Sequence, residues 1–314
     1  MHPIRTILAA TDLSAASDRV LRTAAVLARR SGARLYVLHA VEPLAAMPVT
    51  AFGAAGTGME AQVVQQEWLN ARAALDEQLA RVFGGAHPHD SLFVEGESAP
   101  RAICARAEQL RADLIVIGPD GGGGAPLLGT TADGVLRSAG APVLVVRGTV
   151  PAPLARMLVA TDPAERGTGI VDVALGWAAA FSSRAEGGTP VQVDVVHVIL
   201  DVVSGTMPFS QATVEPGANP QIREAAARSP GVDVHERVLF GESAVDAVLE
   251  YARETGPDLL VAGSHGRGAI ARALVGSTSS ALARQAPCSV LLVPPSLWTA
   301  EHVAREDGDP AHTG

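Results

Sequence analysis

Cysteine is nearly missing from this chain. Cys104 and Cys288 are the two present in 314 residues, too few for the disulfide framework of a small secreted domain. Runs of basic residues are missing as well. The 24 Lys and Arg are scattered among 33 Asp and Glu, for a formal charge of -9. A nucleic-acid surface needs clustered cations facing the phosphates, so no nucleic-acid partner is expected. Long apolar runs are also absent. The opening MHPIRTILAATDLS reaches Asp12 before any such stretch, and the weakly charged segment 43–59 is broken by proline and glycine. Neither a secretory leader nor a membrane span is expected; the expectation is a soluble cytoplasmic protein. No G-x-G-x-x-G follows the first apolar strand and no GKS or GKT occurs anywhere, which excludes the Rossmann and P-loop fingerprints.

What is present is globular composition, 47% apolar and 18% charged, over a length about twice that of a usual domain. The chain also repeats itself. Ile7-Leu-Ala-Ala-Thr-Asp12 returns as Leu158-Val-Ala-Thr-Asp162, with the aspartates 150 positions apart. Leu35-Tyr-Val-Leu-His39 returns as Val193-Asp-Val-Val-His197 at an offset of 158. Gly96-Glu-Ser98 and Asp113-Leu-Ile-Val-Ile-Gly118 return at an offset of 145, as Gly241-Glu-Ser243 and Asp258-Leu-Leu-Val-Ala-Gly263. Leu128-Gly-Thr130 matches Val275-Gly-Ser277 at 147. The second copy therefore gains eight residues around its first helix, loses thirteen in the middle and gains two in its glycine loop.

Within a copy, short Val/Ile/Leu runs alternate with helical patterns. In the first, strands are predicted at 6–10, 35–40, 91–94, 114–117 and 142–146. Helices are predicted from Ser14 or Ser17 to Gly32, over 59–83, over 100–111 and over 131–139. Nearly unbroken apolar strands separated by helices predict a parallel sheet covered on both faces. The second copy repeats the order with its middle helix cut to a stub near 220–228. The expected domains are 1–148 and 154–296, joined by a short proline-containing linker, with 297–314 as a flexible tail. Each copy ends on a hydrophobic strand, and an unpaired edge of that kind is a liability. Pairing of the two copies through these strands or their neighbours, as an intramolecular pseudo-dimer, is therefore expected.

The most informative stretch runs from Val261 to Ser277. It leaves the carboxyl end of a predicted buried strand, where open α/β sheets place ligands. Gly263, Gly266 and Gly268 permit tight turns, and Gly276-Ser277 precede a helix running to Gln285. A helix start offers free amides and the positive end of the dipole to an anion. Arg267 and Arg272 add positive charge. These features suit a polyphosphate.

The spacing Gly263-x2-Gly266-x9-Gly276-Ser277, the strand Ala286-Pro-Cys-Ser-Val-Leu-Leu-Val293 after the next helix, and the opening strand ending in Thr-Asp together resemble the universal stress protein family. The resemblance spans both copies, about 3–147 and 155–295. It implies two repeated, open five-stranded parallel-sheet sandwiches of the adenine nucleotide alpha hydrolase type, and an adenine nucleotide as ligand. ATP is the implied cofactor, with or without Mg2+, and hydrolysis is weak or absent. The family's roles are in stress survival and regulation, and its members dimerise, so a further homodimer and a protein partner belong to the same expectation. Carried over to the second copy, Ala160, Thr161 and Asp162 lie beside the adenosine, and Ile199 contacts the adenine. Gly263, His265, Gly266 and Arg267 surround ribose and phosphates, and Gly276, Ser277 and Thr278 bind phosphate. The corresponding first-copy positions are Thr11, Asp12, Val41, Gly118, Gly121, Gly129 and Thr130. There, seven residues separate the two glycines instead of nine, no basic residue follows, and Asp120 and Asp133 add negative charge. The second copy is therefore expected to hold the nucleotide.

Two other readings stay open. One is a nucleotide-free interaction scaffold that keeps the glycine loops as structure. The other is an enzyme of adenylate chemistry, which would need a Ser-Gly-Gly loop after the first strand where Thr11-Asp-Leu-Ser14 stands. No catalytic and no metal-binding residues are assigned. His39 and His197, at equivalent strand ends, read as structural support, and both cysteines read as small buried hydrophobes.

Overall fold

The computed structural model describes residues 4–41, 56–84, 90–95, 98–119, 128–161, 169–182, 188–200, 210–213, 219–264 and 277–297. The first half contributes β1 (Thr6–Ala10), α1 (Asp18–Ser31), β2 (Arg34–Val41), α2 (Gly56–Phe83), β3 (Asp90–Glu95), α3 (Ala99–Leu110), β4 (Leu114–Ile117), α4 (Thr130–Ser138) and β5 (Val143–Val145). The second contributes β6 (Arg156–Thr161), α5 (Gly169–Ala180), β7 (Val191–Leu200), β8 (Ser210–Thr213), α6 (Pro220–Ala227), β9 (Val232–Gly241), α7 (Ala244–Thr255), β10 (Leu259–Gly263), α8 (Ser277–Gln285) and β11 (Ser289–Val293).

The eleven strands of the described residues form one sheet in the order β3-β2-β1-β4-β5-β11-β10-β6-β7-β9-β8. Pairing is parallel within each half, apart from one edge. The halves meet where β5 pairs antiparallel with β11, Val143 opposite Leu292 and Val145 opposite Val290. The second half departs from the five parallel strands expected of it: β8 pairs antiparallel with β9 and adds a sixth strand at its outer edge. That strand and the eight-residue α6 occupy the place that the 28-residue α2 holds in the first half.

Strand residues alternate between the two faces, as the two-residue period of a strand requires. On one face Ile7, Val37, Val116, Leu144, Val159 and Leu291 join α1, α2, α5 and α6 in a single core. On the other, Leu8, Leu38, Ile115, Val145, Leu158 and Leu292 pack against α3, α4, α7 and α8. Each core runs through both halves without a break. The halves share their apolar interior as well as a strand pair.

Local signals behave as the chemistry suggests, with two exceptions. Gly32 ends α1 in the left-handed region at φ 70°, its amide donating to the Ala28 carbonyl, a conformation glycine adopts without a Cβ penalty. Ser17 stands at the N-cap of α1 but does not cap it with its side chain. Its hydroxyl is taken up by the Ser14 carbonyl and Thr11. In α2, the apolar Leu75 and Leu79 are fully buried, whereas Leu69 is 51% exposed. Among the described residues no helix is long and apolar enough to cross a membrane.

Candidate functional site

In the first half the chain leaves β1 toward β2 on one side and β4 toward β5 on the other, so the carboxyl ends of β1 and β4 flank a topological switch point. Open α/β sheets bind ligands at such points. A cleft of about 570 Å³ opens there, within the range of small-molecule sites, ~300–1,000 Å³. Its apolar walls include Ala10, Leu38, Ala40, Ile103, Ile117 and Val146. Asp12 and Arg19 stand at its polar side, and Gly118, Gly129 and Thr130 line the end near α4.

The α4 end has the form of an anion site. Gly129 is the N-cap, in an extended conformation, and contributes no side-chain cap. Its amide donates to the Pro119 carbonyl at 2.7 Å, tying the helix start to the segment that leaves β4. The first-turn amides of a helix have no partner within it, and here Thr130, Thr131 and Ala132 line the cleft. The chain contains no lysine, so arginine is the sole long cation available to a phosphate.

Asp133 lies in the first turn of α4, where its charge would oppose an anion. Its carboxylate is instead engaged twice: Arg137 Nη2 stands 2.8 Å away, and Arg284 Nη2, from α8 of the other half, 3.2 Å away. Burial pushes the carboxyl up, but the bonds from Arg137 and then Arg284 outweigh it and hold the group below its ordinary value. The negative charge expected on the phosphate path is thus paired, in part with a residue of the other half. Asp120 lies outside the described residues.

Beneath the cleft, the turn between β1 and α1 is tied down by a polar cluster. The Asp12 carboxylate accepts from the Ser14 amide and hydroxyl at 3.0 and 2.6 Å. The Thr11 carbonyl accepts from His39 Nδ1 at 2.9 Å, which puts the ring proton on that nitrogen. Thr11 is 7% exposed, and its hydroxyl donates to Gln78 Oε1 at 2.7 Å. That hydroxyl is therefore spent inside the protein. His197 holds the matching place in the second half, its Nδ1 2.8 Å from Thr161 Oγ1. Each histidine thus engages the end of the neighbouring strand through Nδ1. Among the described residues no three His, Cys, Asp or Glu side chains are grouped to hold a metal ion.

Of the first-copy positions named from the sequence, Thr11, Asp12, Gly118, Gly129 and Thr130 come together in the cleft. Val41 does not line it. Leu38, His39 and Ala40 of the same strand do, and Val41 is the last residue of β2. Gly121 lies outside the described residues. In the second half, Ala160 and Thr161 end β6, next to Ala262 of β10. The Ser279 hydroxyl donates to the Gly263 carbonyl and holds the start of α8, Ser277 and Thr278, against the end of β10. Ile199, on β7, is 48% exposed. Asp162, His265, Gly266, Arg267 and Gly276 lie outside the described residues, as does residue 298 onward. Sequence reasoning missed Arg19 and Gln78. The signal for Gln78 was its register: it falls on the apolar stripe Leu75, Leu79, Val82 of an otherwise polar helix.

The universal stress protein family matches residues 3–147 and again 154–294. A universal stress protein of Mycolicibacterium smegmatis is 30% identical over 303 residues, 92% of this chain and 97% of that protein. The crystal structure of a universal stress protein from Archaeoglobus fulgidus superposes with a TM-score of 0.64 at 22% identity, covering 92% of this chain and 96% of that one. This likeness supports the fold.

Proposed function

Since the chain belongs to the universal stress protein family, as two tandem copies, we propose that it binds an adenine nucleotide, ATP, and acts as a nucleotide-responsive stress or regulatory protein with little or no hydrolysis. The observation that carries this reading is the 570 Å³ cleft of the first half, with apolar walls at one end and an uncapped helix start at the other. The adenine ring suits the walls formed by Leu38, Ala40, Ile103 and Ile117. The Asp12 carboxylate, braced by Ser14, is placed to accept from the ribose hydroxyls. The first-turn amides of α4 are suited to the phosphates, whose charge the helix dipole favours. Bound Mg2+ would shield the triphosphate.

The second half, which its sequence marks as the main nucleotide site, is proposed to bind as well, through Ala160, Thr161, Asp162, Ile199, Gly263, His265, Gly266, Arg267, Gly276, Ser277 and Thr278. Its basic loop, with Arg267 and Arg272, supports that assignment. The domains proposed are 1–148 and 154–296, paired as an internal pseudo-dimer, an arrangement that the β5–β11 pairing supports. The alternative, a nucleotide-free interaction scaffold, is favoured by the loop from Gly121 to Leu128, which carries no cation. Calorimetric titration of the full chain with ATP, with and without Mg2+, separates the two. Saturable binding with one or two sites is expected. No heat at millimolar ATP, from folded protein that releases no nucleotide on denaturation, would leave the scaffold reading in place.

A further inference from the structure

The β1–α1 turn is held by a residue that has no counterpart among the described residues of the second half. Gln78 of α2 is 1% exposed, and all of its hydrogen-bond partners lie in that turn or at the start of α1. Its Oε1 accepts from the Thr11 hydroxyl at 2.7 Å. Its Nε2, with two protons to donate, stands within hydrogen-bond distance of three acceptors: Asp18 Oδ1 at 2.9 Å, the Ser17 hydroxyl at 3.0 Å and the Ser14 carbonyl at 3.1 Å. Asp18 is gripped in turn by Arg81, through Nε at 2.9 Å and Nη2 at 2.8 Å.

The turn needs holding. Leu13 adopts φ 66°, a left-handed conformation that is unfavourable for a side chain with a Cβ and persists when its surroundings over-determine it. Its amide donates to the Thr11 hydroxyl oxygen at 3.0 Å, the same group that Gln78 fixes from the other side. Thr11, Asp12, Ala16 and Ser17 all line the cleft. The wall of the ligand site and the strained turn are one segment, locked from below by one amide side chain.

Among the described residues the second half shows no such lock. Arg228, just past the end of α6, reaches Asp172 in the first turn of α5 at 3.1 Å, as Arg81 reaches Asp18 in the first turn of α1. Three residues before Arg81 stands Gln78; three before Arg228 stands Ala225, whose side chain offers no hydrogen bond. The same crossover position is a polar lock in one half and a methyl group in the other.

We propose that Gln78 is a positioning residue that pre-organises the β1–α1 turn of the first half for the nucleotide, making that half the site whose wall is set before the ligand arrives. This rests on the nucleotide reading given above. A rigid, preformed wall spares the ligand the cost of ordering it, so the lock acts on affinity.

The test compares Gln78→Met, which keeps length but removes the hydrogen bonds, with Leu75→Ala, which removes a fully buried contact of the same helix without touching the turn. ATP affinity of the full chain is measured by calorimetry, and hydrogen exchange follows residues 11–17 and 128–132. Gln78→Met is expected to weaken ATP binding in the first half at least about tenfold and to speed exchange over 11–17. Leu75→Ala is expected to lower the melting temperature at least as much, with affinity unchanged within about twofold. In the wild type, exchange over 11–17 is expected to be slow already without ATP. Equal affinity in Gln78→Met and wild type would overturn the inference and leave the nucleotide reading standing. So would an equal loss in Leu75→Ala, or free exchange over 11–17 until ATP is added. A wild-type chain that binds ATP in the second half alone overturns the inference, and one that binds it in neither half overturns both.

Discussion

Leu144 of β5 lies directly opposite Leu291 of β11 in the antiparallel pair that joins the two halves. The two are 147 positions apart, the offset that also relates Gly129-Thr130 to Gly276-Ser277. Equivalent residues of the repeat therefore face each other at the junction, as at the centre of a twofold interface. Both are 0% exposed, and they belong to the core that runs beneath both halves. An edge strand that would otherwise offer unpaired amides and carbonyls is closed by its own duplicate.

Truncating either residue should therefore destabilise the whole chain and not just one half. Leu144→Ala and Leu291→Ala are each expected to cost about 2–5 kcal/mol, the usual range for a buried leucine. Because the two touch, the double variant should depart from additivity. Denaturant unfolding followed by two probes, one in each half, checks this: the transitions should shift together.

The Asp133–Arg284 pair predicts a pH dependence. The folded carboxyl sits below its ordinary value, so its contribution is complete above the unfolded carboxylate range, near pH 4, and is lost as pH falls through the lowered folded value. Arg137 and Arg284 are 41% and 43% exposed, which limits the contribution to about 1 kcal/mol or less. Asp133→Asn should melt about 1–2 °C or less below wild type at pH 7, and the gap should narrow as pH falls below about 4. A gap independent of pH would contradict the assignment.

Both thiols should be inert in the folded protein. Burial pushes Cys104 up to about 11 and Cys288 up to about 12, and the thiolate is the reactive form. A thiol reagent at pH 8 is expected to label neither within minutes, and both at once when denaturant is added.

Asp113 and Asp258 make the same clamp in each half. Asp113 Oδ2 accepts from the Arg5 and Thr6 amides at 2.8 and 2.9 Å. Asp258 Oδ2 accepts from the Ala155 and Arg156 amides at the same distances. Asp113→Ala and Asp258→Ala should each cost about 1–3 kcal/mol, the range for hydrogen bonds to a charged group. Their sites share no partner, so the losses should add in a double variant.

Most of the architecture was legible because repetition and period carry it. β1 and β4 run Thr6–Ala10 and Leu114–Ile117 as expected, since an unbroken apolar run between turn signals admits few other readings. β8 was not legible: Ser210-Gln-Ala-Thr213 carries no apolar alternation, and a neighbouring edge, not its own composition, makes it a strand. At the site, glycines and Asp12 could be found by spacing. Arg19 could not, because a charge on an amphipathic helix reads as solvated until the fold puts a cleft beside it. The negative charge assigned to Asp133 depended on a partner 151 positions away, which no local pattern announces.

The most direct test of nucleotide binding at the first-half cleft is Thr130→Glu. A carboxylate in the first turn of α4 favours the helix through its dipole, so the fold should hold, yet it places negative charge where the phosphates would lie. With hydrogen exchange as readout, ATP should protect residues 8–17 and 128–132 in the wild type and leave them unprotected in the variant, with unchanged melting temperatures without ligand. Equal protection in both proteins, or none over these residues in the wild type, would contradict the account.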